Sequence, residues 1–160
     1  MGEKSSKPAF DINGIIKHQR NRYPVLLIDR ILMVDPGKSA TGMKCFTYNE
    51  WFFPGHFDDE PNVPGFIQVE CLTQTFIMTF LCMEEYKGMK TSFVSINNTK
   101  FKRKITPGDV LLIDATLTSF KRGIAIGKAT SSVDGETACS AEFVVAVPQA
   151  LEKFKPKITL

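Results

Sequence analysis

Cysteine is scattered in this chain, and histidine is scarcer still. The four cysteines, Cys45, Cys71, Cys82 and Cys139, form no CxxC pair and no cluster with the two histidines. That spacing supports no zinc or other metal site, and it fits a reducing, cytoplasmic compartment better than a disulfide scaffold. A surplus of one charge is missing too. Twenty Lys and Arg against 17 Asp and Glu leave a formal net charge of +3, so the total does not call for nucleic acid. No long apolar run is uninterrupted. The most apolar stretch, residues 66–83, carries Gln68, Glu70 and Gln74, and a lipid-spanning helix seldom tolerates a carboxylate and two amides. Residues 1–8 are polar and do not read as a secretory signal. The opening Met-Gly-Glu-Lys-Ser-Ser matches the loose myristoylation pattern, but a polar leader explains it as well. Tryptophan occurs once and tyrosine three times, whereas phenylalanine occurs 13 times. That bias points to a thick apolar core, or to a greasy pocket or interface.

What is present suits one soluble domain. The chain has 160 residues, 43% of them hydrophobic and 23% charged, ordinary values for a domain with its own core. Residues 1–10 read as a flexible leader, 11–148 as a single domain and 149–160 as a basic tail. Asp11 is placed to cap a short helix over residues 12–18, with His18 a solvated residue at its end. Residues 25–34 and 39–48 read as strands, joined at Asp35-Pro36-Gly37-Lys38 by a turn. An irregular stretch, 49–64, follows; unstructured loops of that length in a compact domain are usually functional. Residues 65–86 then read as one long helix, started by Pro64 and stopped near Gly88. It is apolar nearly all round, so it is buried on nearly all sides. Four strands complete the chain at 93–105, 109–120, 124–133 and 137–147, as an antiparallel meander with turns at Pro107-Gly108, Arg122-Gly123 and Asp134-Gly135. Segregated elements of this kind predict an α+β domain in which a curved sheet wraps the helix. A partner subunit is the simplest cover for the rest.

Chemistry concentrates around the loop and the helix start. His56 lies in the irregular loop, and Glu70 follows fourteen residues later inside the apolar helix. A buried carboxylate is expensive and needs a partner or a role. One reading makes Glu70 a structural acid bonded to backbone or to Gln74, one turn on. The other makes it a general acid whose pKa burial raises, paired with His56 as base. Gly65 follows a proline that has no N–H, so its amide is the first free donor at the positive end of the helix and can face a carbonyl oxygen gaining charge.

These residues also carry a resemblance. Phe52-Phe53-Pro54-Gly55-His56-Phe57, Pro61, Val63-Pro64-Gly65 and Glu70 resemble the FabZ-type 3-hydroxyacyl-(acyl-carrier-protein) dehydratases. Arg22-Tyr23-Pro24, Leu26-Leu27-Ile28-Asp29-Arg30, Asp35-Pro36-Gly37-Lys38, Phe101-Lys102-Arg103 and Pro107-Gly108-Asp109 fall in the same order, so the match spans about residues 12–147. The resemblance implies a hot-dog fold and loss of water from a (3R)-3-hydroxyacyl thioester to give the trans-2-enoyl product. It also implies a homodimer in which His56 of one chain meets Glu70 of the other, with three dimers in a hexamer. The substrate rides on the phosphopantetheine of an acyl carrier protein, and no other cofactor or metal is implied. Lys100, Lys102, Arg103 and Lys104, with Lys121 and Arg122 behind them, are candidate contacts for that acidic carrier; an ordinary solvated strand face explains them equally. Phe57, Asn62, Phe66, Gln68, Gln74 and Phe101 are candidates for the pocket or tunnel, though core packing explains each aromatic alone.

Several positions depart from the family pattern, among them Thr73-Gln74-Thr75 in place of an Ala-rich helical turn. Asn21 stands where a His usually precedes Arg-Tyr-Pro, and Asp58 stands where a Pro is frequent. Asn62 and Gln68 occupy normally apolar positions, which implies a more polar or shorter tunnel and leaves the acyl group open between fatty acid and specialised pathways. Two other functions share the fold. A hot-dog thioesterase would use a different carboxylate arrangement. A non-catalytic acyl- or carrier-binding subunit would have no need of an acid–base pair.

Overall fold

The computed structural model describes residues 9–155. The first eight residues of the expected leader and the last five of the expected tail lie outside the described residues. Residues 9 and 10, counted with the leader from sequence, belong to the domain. Phe10 bridges Ile31, donating its N–H to the Ile31 carbonyl at 3.0 Å. Asp11 caps helix α1, Ile12–His18, by accepting the Gly14 N–H at 2.8 Å. His18 is not solvated as expected. It is buried against the Phe10 ring, 4.7 Å between centroids, with Nδ1 2.8 Å from the Gly14 carbonyl.

The first hairpin is β1, Arg30–Asp35, and β2, Ser39–Cys45. Strand β1 starts five residues later than the expected 25–34. The Leu27 and Ile28 N–H groups go instead to the Gln74 side chain, and a backbone donor spent on a side chain cannot join a ladder. Strand β2 likewise stops short of Tyr48. The long helix α2 covers Gly65–Leu81, five residues shorter than expected. Beyond Cys82 the chain turns on itself, with Met83 N–H bonded to the Phe80 carbonyl and Gly88 N–H to the His18 carbonyl. Glu84 and Glu85 would have met the negative end of a longer helix.

Four strands follow: β3, Ser92–Phe101; β4, Val110–Lys121; β5, Ile124–Val133; and β6, Glu136–Ala146. They are not one meander. The antiparallel sheet has the order β1-β2-β4-β5-β6-β3, so β3 lies beside β6 at the edge and residues 102–109 cross the end of the sheet to reach β4. The two tight hairpins are where the sequence signals put them. Arg122-Gly123 and Asp134-Gly135 have all four φ angles positive, between 50° and 80°, the geometry that matches strand twist. The segment after Pro148, expected to fray, begins as a short helix α3, Pro148–Leu151, with Ala150 buried.

The sheet wraps α2, the hot-dog arrangement. Every residue from Cys71 to Leu81 is buried. Phe76 stacks on Phe143 of β6 at 5.6 Å, and Phe80 packs on Phe120 of β4 at 4.9 Å. Helix and sheet approach closely at Gly42 and Gly127, where an added Cβ would stand 2.3 Å from Thr75 Oγ1 and 2.4 Å from the Phe76 ring. Strand β3 differs from the rest. Phe93, Val94, Ile96 and Phe101 are 42–60% exposed, leaving an apolar edge that an isolated subunit would have to manage.

Candidate active site

His56 is presented by an anchored loop. Phe46, Phe52 and Phe53 are buried and pack edge to face, at 6.2 Å for Phe46–Phe52 and 4.8 Å for Phe52–Phe53. A single 3-10 turn over Phe53–Gly55 then delivers His56. The imidazole Nδ1 lies 2.9 Å from the main-chain carbonyl of Asn62. A carbonyl only accepts, so neutral His56 carries its proton on Nδ1 and has a free lone pair on Nε2. The Phe57 ring stacks on the imidazole at 4.5 Å and is half-exposed. Asn62 therefore serves through its backbone, while its side chain donates to the Glu60 carbonyl at 3.1 Å.

Glu70 sits on the first turns of α2, half-buried. Its Oε1 accepts from Gln74 Nε2 at 2.8 Å and from Asn21 Nδ2 at 3.4 Å. Burial holds the carboxyl above the ordinary carboxylate range, and the Gln74 bond lowers it part of the way back. Gln74 is fully buried. It accepts from the Leu27 N–H at 2.9 Å and the Ile28 N–H at 3.4 Å, and donates to the Val25 carbonyl at 2.7 Å as well as to Glu70. It is a clamp between α2 and the segment before β1, not a pocket wall. Gly65 opens the helix, and its N–H is one of the first-turn donors with no intrahelical acceptor.

A groove of about 850 Å³ runs past these groups. Pro24, Val25, Trp51, Phe66, Ile96 and Phe101 supply apolar walls, and Gly65, Thr99 and Glu70 also line it. Of the pocket candidates named from sequence, Phe66 and Phe101 line this groove. Phe57, Asn62, Gln68 and Gln74 do not. The expectation that Asn62 and Gln68 make the tunnel more polar is not met within one chain. Gln68 is 95% buried and donates to the Val63 carbonyl at 3.2 Å. Sequence reading missed Trp51 and Ile96 as walls, since an exposed aromatic and an edge-strand Ile carry no signal of their own. It also named Asn21 as a departure without connecting it to Glu70.

A second cavity of about 300 Å³ lies on the other side of Glu70, lined by Arg20, Asn21, Thr73 and Lys90 among others. His56 lines neither of these cavities, whereas Glu70 lines both. The basic candidates do not form one patch either. Phe101 pairs with Cys139 whereas Ile124 pairs with Ala146 on the same strand β6, a separation of seven residues or about 23 Å. Lys100, Lys102 and Lys104 therefore lie at one end of the sheet and Lys121 and Arg122 at the other. Strand β3 ends at Phe101, so the expected face alternation of Lys102 and Lys104 does not apply. Arg103 is engaged by Glu136 at 3.2 Å and by Asp109 at 3.8 Å, and Lys104 pairs with Glu60. Among the described residues no group of three or more His, Cys, Asp or Glu is gathered to hold a metal ion, and no helix is long and apolar enough to cross a membrane.

Known proteins resemble the chain in both sequence and shape. A FabA-like domain family model matches residues 20–142. The 3-hydroxyacyl-(acyl-carrier-protein) dehydratase FabZ of Clostridium novyi is 45% identical over 137 residues, 86% of this chain and 94% of that protein. The FabZ of Clostridium botulinum is also 45% identical, over 138 residues, 86% of this chain and 96% of that protein. Among solved structures, the dehydratase heterocomplex ApeI:P from Xenorhabdus doucetiae matches with a TM-score of 0.72 at 14% identity, over 88% of this chain and 95% of that one. That structural likeness bears on the fold alone and agrees with the α+β hot-dog arrangement. The chain belongs to the FabA-like domain family, among the FabZ 3-hydroxyacyl-(acyl-carrier-protein) dehydratases.

Proposed function

We propose that this protein dehydrates (3R)-3-hydroxyacyl groups carried on acyl carrier protein to trans-2-enoyl thioesters, in the cytoplasm and in fatty acid biosynthesis. The observation that carries this reading is the place of Glu70, a carboxyl whose pKa burial raises, in the wall of an apolar groove that Gly65 also lines. Neutral His56 takes the C2 proton through Nε2. The electron pair moves toward the thioester oxygen, which the Gly65 N–H holds. The pair then returns to form the C2–C3 double bond as the C3–O bond breaks, and Glu70 protonates the departing oxygen so that it leaves as water. Both steps are proton transfers, so the chemistry asks for no redox cofactor or metal.

The site is shared between two chains. A second copy set against the apolar edge of β3 covers that edge and brings its His56 to the groove. Three such dimers form the hexamer. The carbonyl bound at Gly65 sits beneath Phe101, so the phosphopantetheine arm leaves from that end. Lys100 and Lys102 flank it and meet the acidic carrier, while Lys121 and Arg122 lie too far along the sheet to share that contact. The groove walls are apolar, which favours an alkyl chain over a polar acyl group.

The test is turnover of 3-hydroxybutyryl and longer acyl-carrier thioesters. His56→Ala and Glu70→Gln each abolish water loss in a protein that stays assembled. Mixing and reassembling the two dead variants restores activity, because some dimers then hold one intact site. Near-normal rates in either variant overturn the mechanism. Release of free thiol points to a thioesterase, and tight carrier binding without turnover points to a binding subunit.

A further inference from the structure

Two neutral amides converge on a single oxygen of Glu70. Gln74 Nε2 donates to Oε1 at 2.8 Å, and Asn21 Nδ2 donates to the same atom at 3.4 Å. Oε2 accepts from no described residue. It is also not sealed in, since the buried side-chain atoms without partners are Gln19 Oε1 and Gln68 Oε1. We propose that Asn21 is a positioning residue for the acid: together with Gln74 it occupies Oε1, so that the proton delivered to the leaving oxygen is held on Oε2. This rests on the reading of Glu70 as the general acid and adds a residue to it.

The orientation of Gln74 is not free. Reversing its amide would set its carbonyl against the Val25 carbonyl and its NH₂ against the Leu27 and Ile28 N–H groups. The backbone thus dictates that an N–H faces Glu70. A carboxylic acid has one carbonyl oxygen, with two lone pairs in its plane, and one hydroxyl oxygen, a poorer acceptor. One donor biases which oxygen bears the proton. A second donor on the same atom fills both lone pairs of a carbonyl oxygen and assigns the hydroxyl to the other.

Asn21 is held where it can do this. The Gln19 side chain donates to the Gln74 carbonyl at 2.7 Å, and Arg22 binds the carbonyls of Ile16, Gln19 and Asn21 at 2.7–2.8 Å. The stretch 19–21 is therefore fastened beside α2 at one end and folded back on α1 at the other. Asn21 and Glu70 both line the smaller cavity. The charged groups that share it are Arg20 from the segment after α1 and Lys90 from the segment before β3; on α2 itself the buried Cys71 thiol is the titratable neighbour. None of these is hydrogen-bonded to Glu70, so the two amides alone choose between its oxygens.

The experiment compares the assembled parent with Asn21→Ala, Asn21→His and Glu70→Gln. Loss of the Asn21 donor leaves Gln74 alone to bias the proton toward Oε2, and the plateau kcat falls about tenfold while KM changes less than about twofold. The same loss removes a donor that favours the carboxylate, so the alkaline limb moves to higher pH. A lower plateau with a later limb is not what general loosening of the fold produces. Asn21→His keeps an N–H donor and restores the plateau. Infrared difference spectra, with Glu70→Gln as blank, show the Glu70 acid carbonyl band shifted to higher frequency in Asn21→Ala. If Asn21→Ala does not fold, Asn21→Ser, whose hydroxyl is too short to reach, carries the same expectations. An unmoved limb and carbonyl band in a variant lacking the donor overturn the inference, provided Glu70→Gln is inactive. An active Glu70→Gln removes the reading of Glu70 itself.

Discussion

Gln74 Nε2 stands 2.8 Å from Glu70 Oε1, one turn along α2. This contact joins the most heavily bonded buried side chain of the helix to the carboxyl in the groove wall. Replacing Gln74 by Leu leaves the buried Leu27 and Ile28 N–H groups without partners and removes a donor from the carbonyl of the half-exposed Val25. At about 1–3 kcal/mol for each of the two buried N–H groups, the variant loses roughly 2–6 kcal/mol. Urea unfolding measures it, and a loss under about 1 kcal/mol would mean the clamp is slack.

Stability should report the Glu70 carboxyl directly. Burial raises its pKa in the folded protein above the ordinary 4.5, so the folded state holds the proton more tightly than the unfolded chain. That contribution is fully present below about pH 4.5 and is lost as pH rises through the raised folded value. Glu70→Gln cannot titrate and still offers Oε1 to Gln74. Its stability relative to the parent therefore improves progressively from about pH 4.5 upward. Paired unfolding curves across this range check the slope, and a gap that does not vary with pH rules out burial as the cause.

Gly65 lies under an aromatic ring. A Cβ there would meet Phe101 Cζ at 3.0 Å, and the ring is the part that can move. Gly65→Ala is expected to push Phe101 into the groove and lower kcat/KM by about tenfold to a hundredfold. Adding Phe101→Leu makes room and recovers part of the loss. Steady-state kinetics of the two single variants and the double variant separate this steric effect from a direct need for glycine.

The exposed edge of β3 predicts the assembly. Ile96 is 42% exposed on that edge and lines the groove. Ile96→Lys places a charge where the second chain is proposed to sit, and it costs little in the isolated subunit because water already reaches the site. Sedimentation should show smaller species, with activity lost in parallel. A dimer that survives with full activity places the interface elsewhere.

Carrier recognition should follow the geometry of the basic clusters. Lys102→Glu is expected to raise KM about tenfold for the carrier-bound substrate and to leave it unchanged for a short pantetheine thioester. Lys121→Glu, about 23 Å away along β6, leaves both unchanged. Equal effects of the two substitutions would show that the carrier covers a wider surface.

Much of this was legible in the chain itself. Asp11 before an apolar repeat sets α1, Pro64 before Gly65 sets the start of α2, and Arg122-Gly123 and Asp134-Gly135 set two hairpins. Each depends on a few neighbouring residues whose backbone preferences act locally. Membership of the family was readable from the motif around His56 and Glu70, since residue identity and spacing carry it. What the sequence left open was decided by partners distant along the chain. Strand β1 starts late because Gln74, some fifty residues on, takes its donors. Strand β3 joins β6 rather than β4 because sheet order is settled by burial, which no local turn encodes. Asn62 and Gln68 look polar enough to line a tunnel, yet each spends its amide on a nearby carbonyl. The sequence determined which groups can do acid–base chemistry. Only the tertiary structure decided which oxygen of Glu70 receives the two amide donors, because Asn21 and Gln74 meet one carboxyl oxygen in space and not in sequence.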